Sequence, residues 1–237
     1  MTASHEIKKP HEIKNTNEAL TFNQKLYEFV QKNRKTLFIS FIAMIVIIAG
    51  LIIFITVRDR MQANALSRVD EFSRRYEEVK DHIIGGDLMQ QAEIAILLAE
   101  LQDFQNRTSG FPAARAFSIT AEILTEQGNW AGAETAWSNA ARTAEGNYLT
   151  PIALFNAAVA AEEQGNVQAA IDYYIRAIGF GELFHSAARA QFAIGRLEEG
   201  RNSREAALAA YRNLLARWPE DPVWSNLAQN RIIMLGE

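Results

Sequence analysis

Cysteine is absent from all 237 residues, which excludes a disulfide framework and a lipid-modified cysteine and leaves the redox compartment open. Histidine is sparse: His5, His11, His82 and His185 lie far apart with no His-x3-His pair, and read as solvated or capping residues rather than metal ligands. Gly85-Gly86 lacks the further glycines and the lysine of a phosphate-binding loop, and no Gly-x-Ser-x-Gly occurs. The carboxylate pairs Glu162-Glu163 and Glu198-Glu199 fall at expected helix ends, where a solvated face outweighs acid/base work. No enzyme, catalytic residue, metal site or cofactor is therefore expected. Lysine is scarce beyond residue 57, where Lys80 stands alone. Residues 58–237 carry 17 Lys+Arg against 24 Asp+Glu, an acidic balance that disfavours nucleic acid as a partner.

One further absence organises the chain. Residues 37–57, LFISFIAMIVIIAGLIIFITV, contain no charge, and only Ser40, Gly50 and Thr56 interrupt the apolar run. At about 1.5 Å rise per residue this segment makes a helix of roughly 31 Å, against a hydrocarbon core of about 30 Å. Lys32, Arg34 and Lys35 precede it and Arg58 and Arg60 follow, as expected when charge stays at headgroup level. A secretory signal has a short basic head and an apolar stretch of about 7–15 residues; here the head is longer and so is the run. The segment reads as a retained single-pass transmembrane helix.

Residues 1–36 form a polar head whose first fifteen or so positions read as a flexible tail. From Asn17, the apolar Leu20, Phe22, Leu26, Tyr27, Phe29 and Val30 alternate with basic residues and predict a short amphipathic helix, either an interfacial lead-in or a docking element. Lys25, Lys32, Arg34 and Lys35 before the span outnumber Arg58, Arg60 and Arg68 after it. That margin, together with the acidic balance of residues 58–237, predicts a cytoplasmic N-terminus and a translocated C-terminal domain.

Strand signals are scarce after the span, while Ala, Leu, Glu and Arg dominate, so the fold class is all-α. Leu66, Val69, Phe72, Tyr76, Val79 and Ile83 form a seam along one helix over 61–84. Two partners suit that seam: a second helix over 88–104, after the Gly85-Gly86-Asp87 break, or a second copy in a coiled-coil homodimer through 66–83. Residues 58–111 thus form a long helix and a first helical hairpin.

From residue 112 the chain repeats. Ala121, Ala158 and Gly195 are 37 apart, as are Ala133, Ala170 and Ala207, and Trp137, Tyr174 and Tyr211. Gly128, Gly165 and Asn202 occupy the turn, where φ > 0 ends a helix. Each unit is helix, tight turn, helix, with small residues permitting close approach and the aromatic filling the gap to the next pair. A single unit cannot bury its face alone, so the units, about 112–148, 149–185 and 186–222, stack into an α-solenoid. Asp221-Pro222 opens a last helix over 223–235 that caps it.

EQGNWAGAETAWSNAA (126–141) and EQGNVQAAIDYYIRAI (163–178) resemble tetratricopeptide repeats, with Gly, then Ala five on, an aromatic nine on and Ala twelve on. REAALAAYRNLLARWP (204–219) keeps Ala207, Tyr211 and Pro219, with Leu214 in place of the usual Ala. The resemblance implies a protein-binding solenoid whose first helices line the concave side. Equivalent positions there are Ser118, Phe155 and Phe192 and, one turn further, Glu122, Val159 and Arg196, which are the candidate partner-binding residues; the two Phe serve either packing or recognition. The layout of polar head, span, long helix and repeats is similar to the YfgM-like family of ancillary subunits of the bacterial Sec translocon. That likeness implies a bitopic inner-membrane protein with periplasmic repeats that meet translocon components, secreted or unfolded polypeptides, or their chaperones. Two alternatives stay open: a structural adaptor in envelope assembly, division or motility, and a cytoplasm-facing receptor.

Overall fold

The computed structural model describes the backbone of residues 12–85, 87–144 and 146–236, with side chains from residue 24 onward. Among the described residues every regular element is a helix. The chain divides into two compact units, Met1–Met61 and Gln62–Glu237.

In the first unit, helix α1 (Glu12–Val79) begins earlier than the amphipathic pattern predicts, so Glu12–Asn15 are helical; the first eleven positions of the expected tail lie outside the described residues, as do the side chains of Leu20 and Phe22. Asn33 alone leaves helical geometry (φ −110°, ψ 15°), and its side-chain amide donates to the Phe29 carbonyl at 3.0 Å. From residue 37 to 57 every side chain is exposed, and the one hydroxyl near the end, Thr56, donates back to the Ile52 carbonyl at 2.8 Å. This helix is long and apolar enough to cross a membrane.

The second unit starts within α1 and continues with α2 (Leu88–Arg107), α3 (Gly110–Glu126), α4 (Trp130–Ala144), α5 (Leu149–Glu163), α6 (Val167–Ile178), α7 (Ala187–Gly200), α8 (Arg204–Arg217) and α9 (Pro222–Met234). Asp87 caps α2 in a reciprocal box: its Oδ1 accepts from the Gln90 backbone N–H at 2.9 Å, and the Asp87 backbone N–H donates to Gln90 Oε1 at 2.8 Å. Val69, Phe72, Val79 and Ile83 are buried with Ile94, Leu97 and Leu101 of α2 and Ile119 and Ile123 of α3. Phe72 meets Phe104 edge-on at 5.5 Å. Neighbours within the chain therefore fill the 66–83 seam. That corrects the coiled-coil alternative, because those apolar side chains are no longer free to face a second copy.

The repeats bury small residues where helices approach. Ala121, Ala133, Ala158, Ala170 and Ala207 have no exposed surface, and at Gly195 an added Cβ would fall inside the Tyr211 ring. Gly128, Gly165 and Asn202 have φ of 69°, 73° and 59°, the left-handed turn that the spacing predicts. Asp221 caps α9 by accepting from Val223 and Trp224, both at 3.2 Å, with Pro222 in the first turn. Ala228 and Ile232 then close the end of the core over Leu208, Tyr211 and Leu214.

Candidate functional site

A carboxylate in the last turn of a helix meets the negative end of the helix dipole and needs a cation. Glu162, in the last turn of α5, finds one in Arg196 of α7, whose Nη2 reaches Glu162 Oε2, while the Tyr174 hydroxyl of α6 donates to Glu162 Oε1 at 2.5 Å. Glu199, in the last turn of α7, repeats the arrangement. Tyr211 of α8 donates to it at 2.6 Å, and Arg231 of α9 grips it in a fork, Nε at 2.9 Å and Nη2 at 2.5 Å. The hydrogen bonds from Arg231 hold the Glu199 carboxyl below its ordinary value. Burial, then the bond to the carboxylate, pushes both Tyr174 and Tyr211 up. The expectation of solvated carboxylates at these helix ends is therefore corrected: the Glu162 and Glu199 side chains keep only 14% of their surface in solvent.

One repeat period earlier, the positions of Glu162, Tyr174 and Arg196 hold Thr125, Trp137 and Val159. None of the three supplies a charge. Here the surface opens into a cavity of about 170 Å³ lined by these residues with Tyr76 of α1, Glu122 and Glu126 of α3, Trp130 of α4, and Asn156 and Ala160 of α5. Thr125 turns its hydroxyl inward to the Ala121 carbonyl at 2.7 Å. Neither Glu122 nor Glu126 has a hydrogen-bond or ion-pair partner among the described residues. Burial first, then the Glu77 and Glu126 charges, raises the Glu122 carboxyl. The Tyr76 phenol is pushed up to about 12, by burial first and then by the same acidic neighbours.

The six residues singled out from the sequence separate accordingly. Glu122 and Val159 line the cavity. Arg196 is exposed but committed to Glu162. Phe192 is half-buried between Tyr211 at 5.4 Å and Trp224 at 5.5 Å. Phe155 is buried, covered by Phe184, Tyr174 and the Arg189 guanidinium 5.0 Å above its ring, and Ser118 is buried with its hydroxyl donated to the Ala114 carbonyl at 3.1 Å. Tyr76, Trp130 and Glu126 escaped the sequence reading. Trp130 looks like a turn residue, and only its half-buried place at the start of α4 joins it to the cavity. For Glu162 and Glu199 a signal existed, since they share the 37-residue spacing of the aromatics they bind. Among the described residues no three His, Cys, Asp or Glu side chains converge as metal ligands.

Two comparisons with known proteins bear on this architecture. The tetratricopeptide repeat family pattern matches residues 120–182, spanning α4, α5, α6 and parts of their neighbours. A protein of Treponema pallidum (strain Nichols) described as a TPR repeat-containing protein is 30% identical over 201 residues, covering 79% of this chain and 82% of that one.

Proposed function

The chain belongs to the tetratricopeptide repeat proteins, and from that premise we propose that it is a membrane-anchored scaffold that holds other polypeptides against its repeats in a bacterial envelope. Repeats of this family mediate contacts between proteins. The observation that carries the membrane half is the uncharged segment 37–57, whose large apolar side chains are all exposed and uncovered among the described residues. On this reading residues 1–36 are a cytoplasmic head, 37–57 the span, 58–111 the long helix and first hairpin, and 112–237 the repeats with their cap. The acidic domain lies on the far side of the inner membrane. Its ligand there is an extended or partly unfolded secreted chain, met beside the translocon.

Among the candidate contact residues, Glu122 and Val159 carry the reading, with half-buried Phe192 and exposed Arg196 further along the repeats; Ser118 and Phe155 are buried and take a packing role. The test has two arms. Ser203→Cys in intact cells should be labelled by a membrane-impermeant thiol reagent once the outer envelope is permeabilised, whereas labelling only after inner-membrane lysis would reverse the topology. The purified full chain in detergent should also delay aggregation of a denatured secreted protein. No delay, with crosslinks only to division or outer-membrane machinery, would replace the chaperone reading with that of a structural adaptor.

A further inference from the structure

Among the described residues the three repeats each meet the helix that follows them, and two of those intervals are closed by an arginine of the chain itself. Arg196 and Arg231 each lie on a carboxylate from the last turn of a preceding helix, beside a tyrosine hydroxyl. In the interval between α3, α4 and α5 the position of Arg196 is held by Val159 and that of Tyr174 by Trp137, and the carboxylates Glu122 and Glu126 have no cation beside them among the described residues. We propose that this open interval binds an arginine side chain of the partner polypeptide, its guanidinium lying between Trp130 and Trp137 and meeting Glu122 and Glu126. The inference rests on the polypeptide-binding reading above and names the chemistry of its ligand.

Three further observations favour that occupant. The cavity of about 170 Å³ is close to the roughly 150 Å³ that admits a benzene-sized group, so it fits one planar headgroup and not a length of chain. Its lining combines half-buried Trp130 and the small exposed part of Trp137 with two carboxylates, and a guanidinium is a flat cation that packs on an indole while it donates in a fork to a carboxylate. A lysine ammonium offers neither the plane nor the fork. Finally, the α3 carbonyl end adds negative potential at the same spot, since both glutamates lie within its last two turns. An acidic tail would be repelled here, and a purely apolar side chain would leave both carboxylates desolvated without a partner.

The experiment uses the full chain in detergent and short extended Ser/Leu peptides that differ only at one central residue: arginine, lysine or the neutral isostere citrulline. With Trp218 and Trp224 replaced by Phe, quenching of tryptophan fluorescence reports on Trp130 and Trp137. The arginine peptide should bind at least about tenfold more tightly than the citrulline peptide, with lysine between them. Glu122→Gln with Glu126→Gln should erase that preference while leaving helicity and unfolding temperature intact or raised, because two like charges one turn apart are removed. Equal binding of all three peptides would overturn the inference and leave the scaffold reading standing. The same holds if a denatured protein binds and none of the peptides does. If neither peptides nor denatured protein bind, both fall together.

Discussion

The interval closed by Arg231 and the interval left open at Val159 are built from the same backbone parts: a helix ending in a left-handed turn, a second helix presenting an aromatic ring, and the next helix arriving across them. What separates them is the side chains at the junction: Thr125 and Trp137 stand where the closed interval has Glu199 and Tyr211, and no arginine like Arg231 arrives from the next helix. Glu199, Tyr211 and Arg231 satisfy one another, so nothing is left to offer a partner. Thr125 donates its hydroxyl to the Ala121 carbonyl, Trp137 and Val159 bring no charge, and the nearby Glu122 and Glu126 have no hydrogen-bond or ion-pair partner among the described residues. Conservation of architecture thus coexists with a local difference in polar satisfaction. In a repeat protein, a unit that leaves its own polar groups unpaired is where a ligand gains most.

The largest expected effect breaks the apolar part they share. Trp137 is 95% buried, at 5% exposure, and Trp137→Ala should cost about 3–5 kcal/mol in thermal or denaturant unfolding followed by circular dichroism. Half-buried Trp130 should cost much less when replaced by Ala, and equal losses would mean that the two tryptophans are misassigned. Gly195→Ala comes next. Its Cβ would enter the Tyr211 ring, so the closed end should lose about 1–3 kcal/mol through overpacking, whereas Ala121 already carries that methyl at the open interval.

Electrostatic substitutions should be smaller and opposite in sign. Glu199→Gln should lose about 1–2 kcal/mol at neutral pH, a figure discounted for the partial exposure of Arg231. Because Arg231 holds the Glu199 carboxyl below its ordinary 4.5, that contribution is present above pH 4.5 and fades as pH falls further. Glu122 behaves in reverse. Its carboxyl is raised, so ionisation costs stability at neutral pH. Glu122→Gln should therefore gain about 0.2–0.5 kcal/mol, an advantage that shrinks as pH falls through the raised value towards 4.5. Parallel pH profiles for the two variants would contradict the contrast between the intervals.

Periodicity made the scaffold legible and left the polar contacts hidden. The 37-residue spacing of Ala133, Ala170 and Ala207 marks positions that the fold buries completely, and the turn residues Gly128, Gly165 and Asn202 all adopt positive φ. Both signals are local or repetitive, and burial enforces them. By contrast, spacing tells which face Phe155 shares with Phe192 but not what covers it, and Phe184 and Arg189 arrive from the following loop and helix. The arginine partners of Glu162 and Glu199 are hidden for a related reason: unlike the tyrosines they do not share the 37-residue spacing, and a carboxylate on a helix end has the same sequence appearance whether or not an arginine over 30 residues away reaches it. The spacing puts Tyr76 on the α1 seam, and its place in the cavity lining follows from how α1 packs with α3.

The central claim is that polypeptides meet this protein at the open interval. A photo-reactive amino acid at Val159, compared in living cells with one at Leu183, which is 52% exposed in the connection between α6 and α7, tests it most directly. The account predicts crosslinks to envelope or secreted polypeptides from Val159 that are lost with Glu122→Gln and Glu126→Gln, and few from Leu183. Crosslinks of equal yield from both positions, or from Leu183 alone, would contradict it.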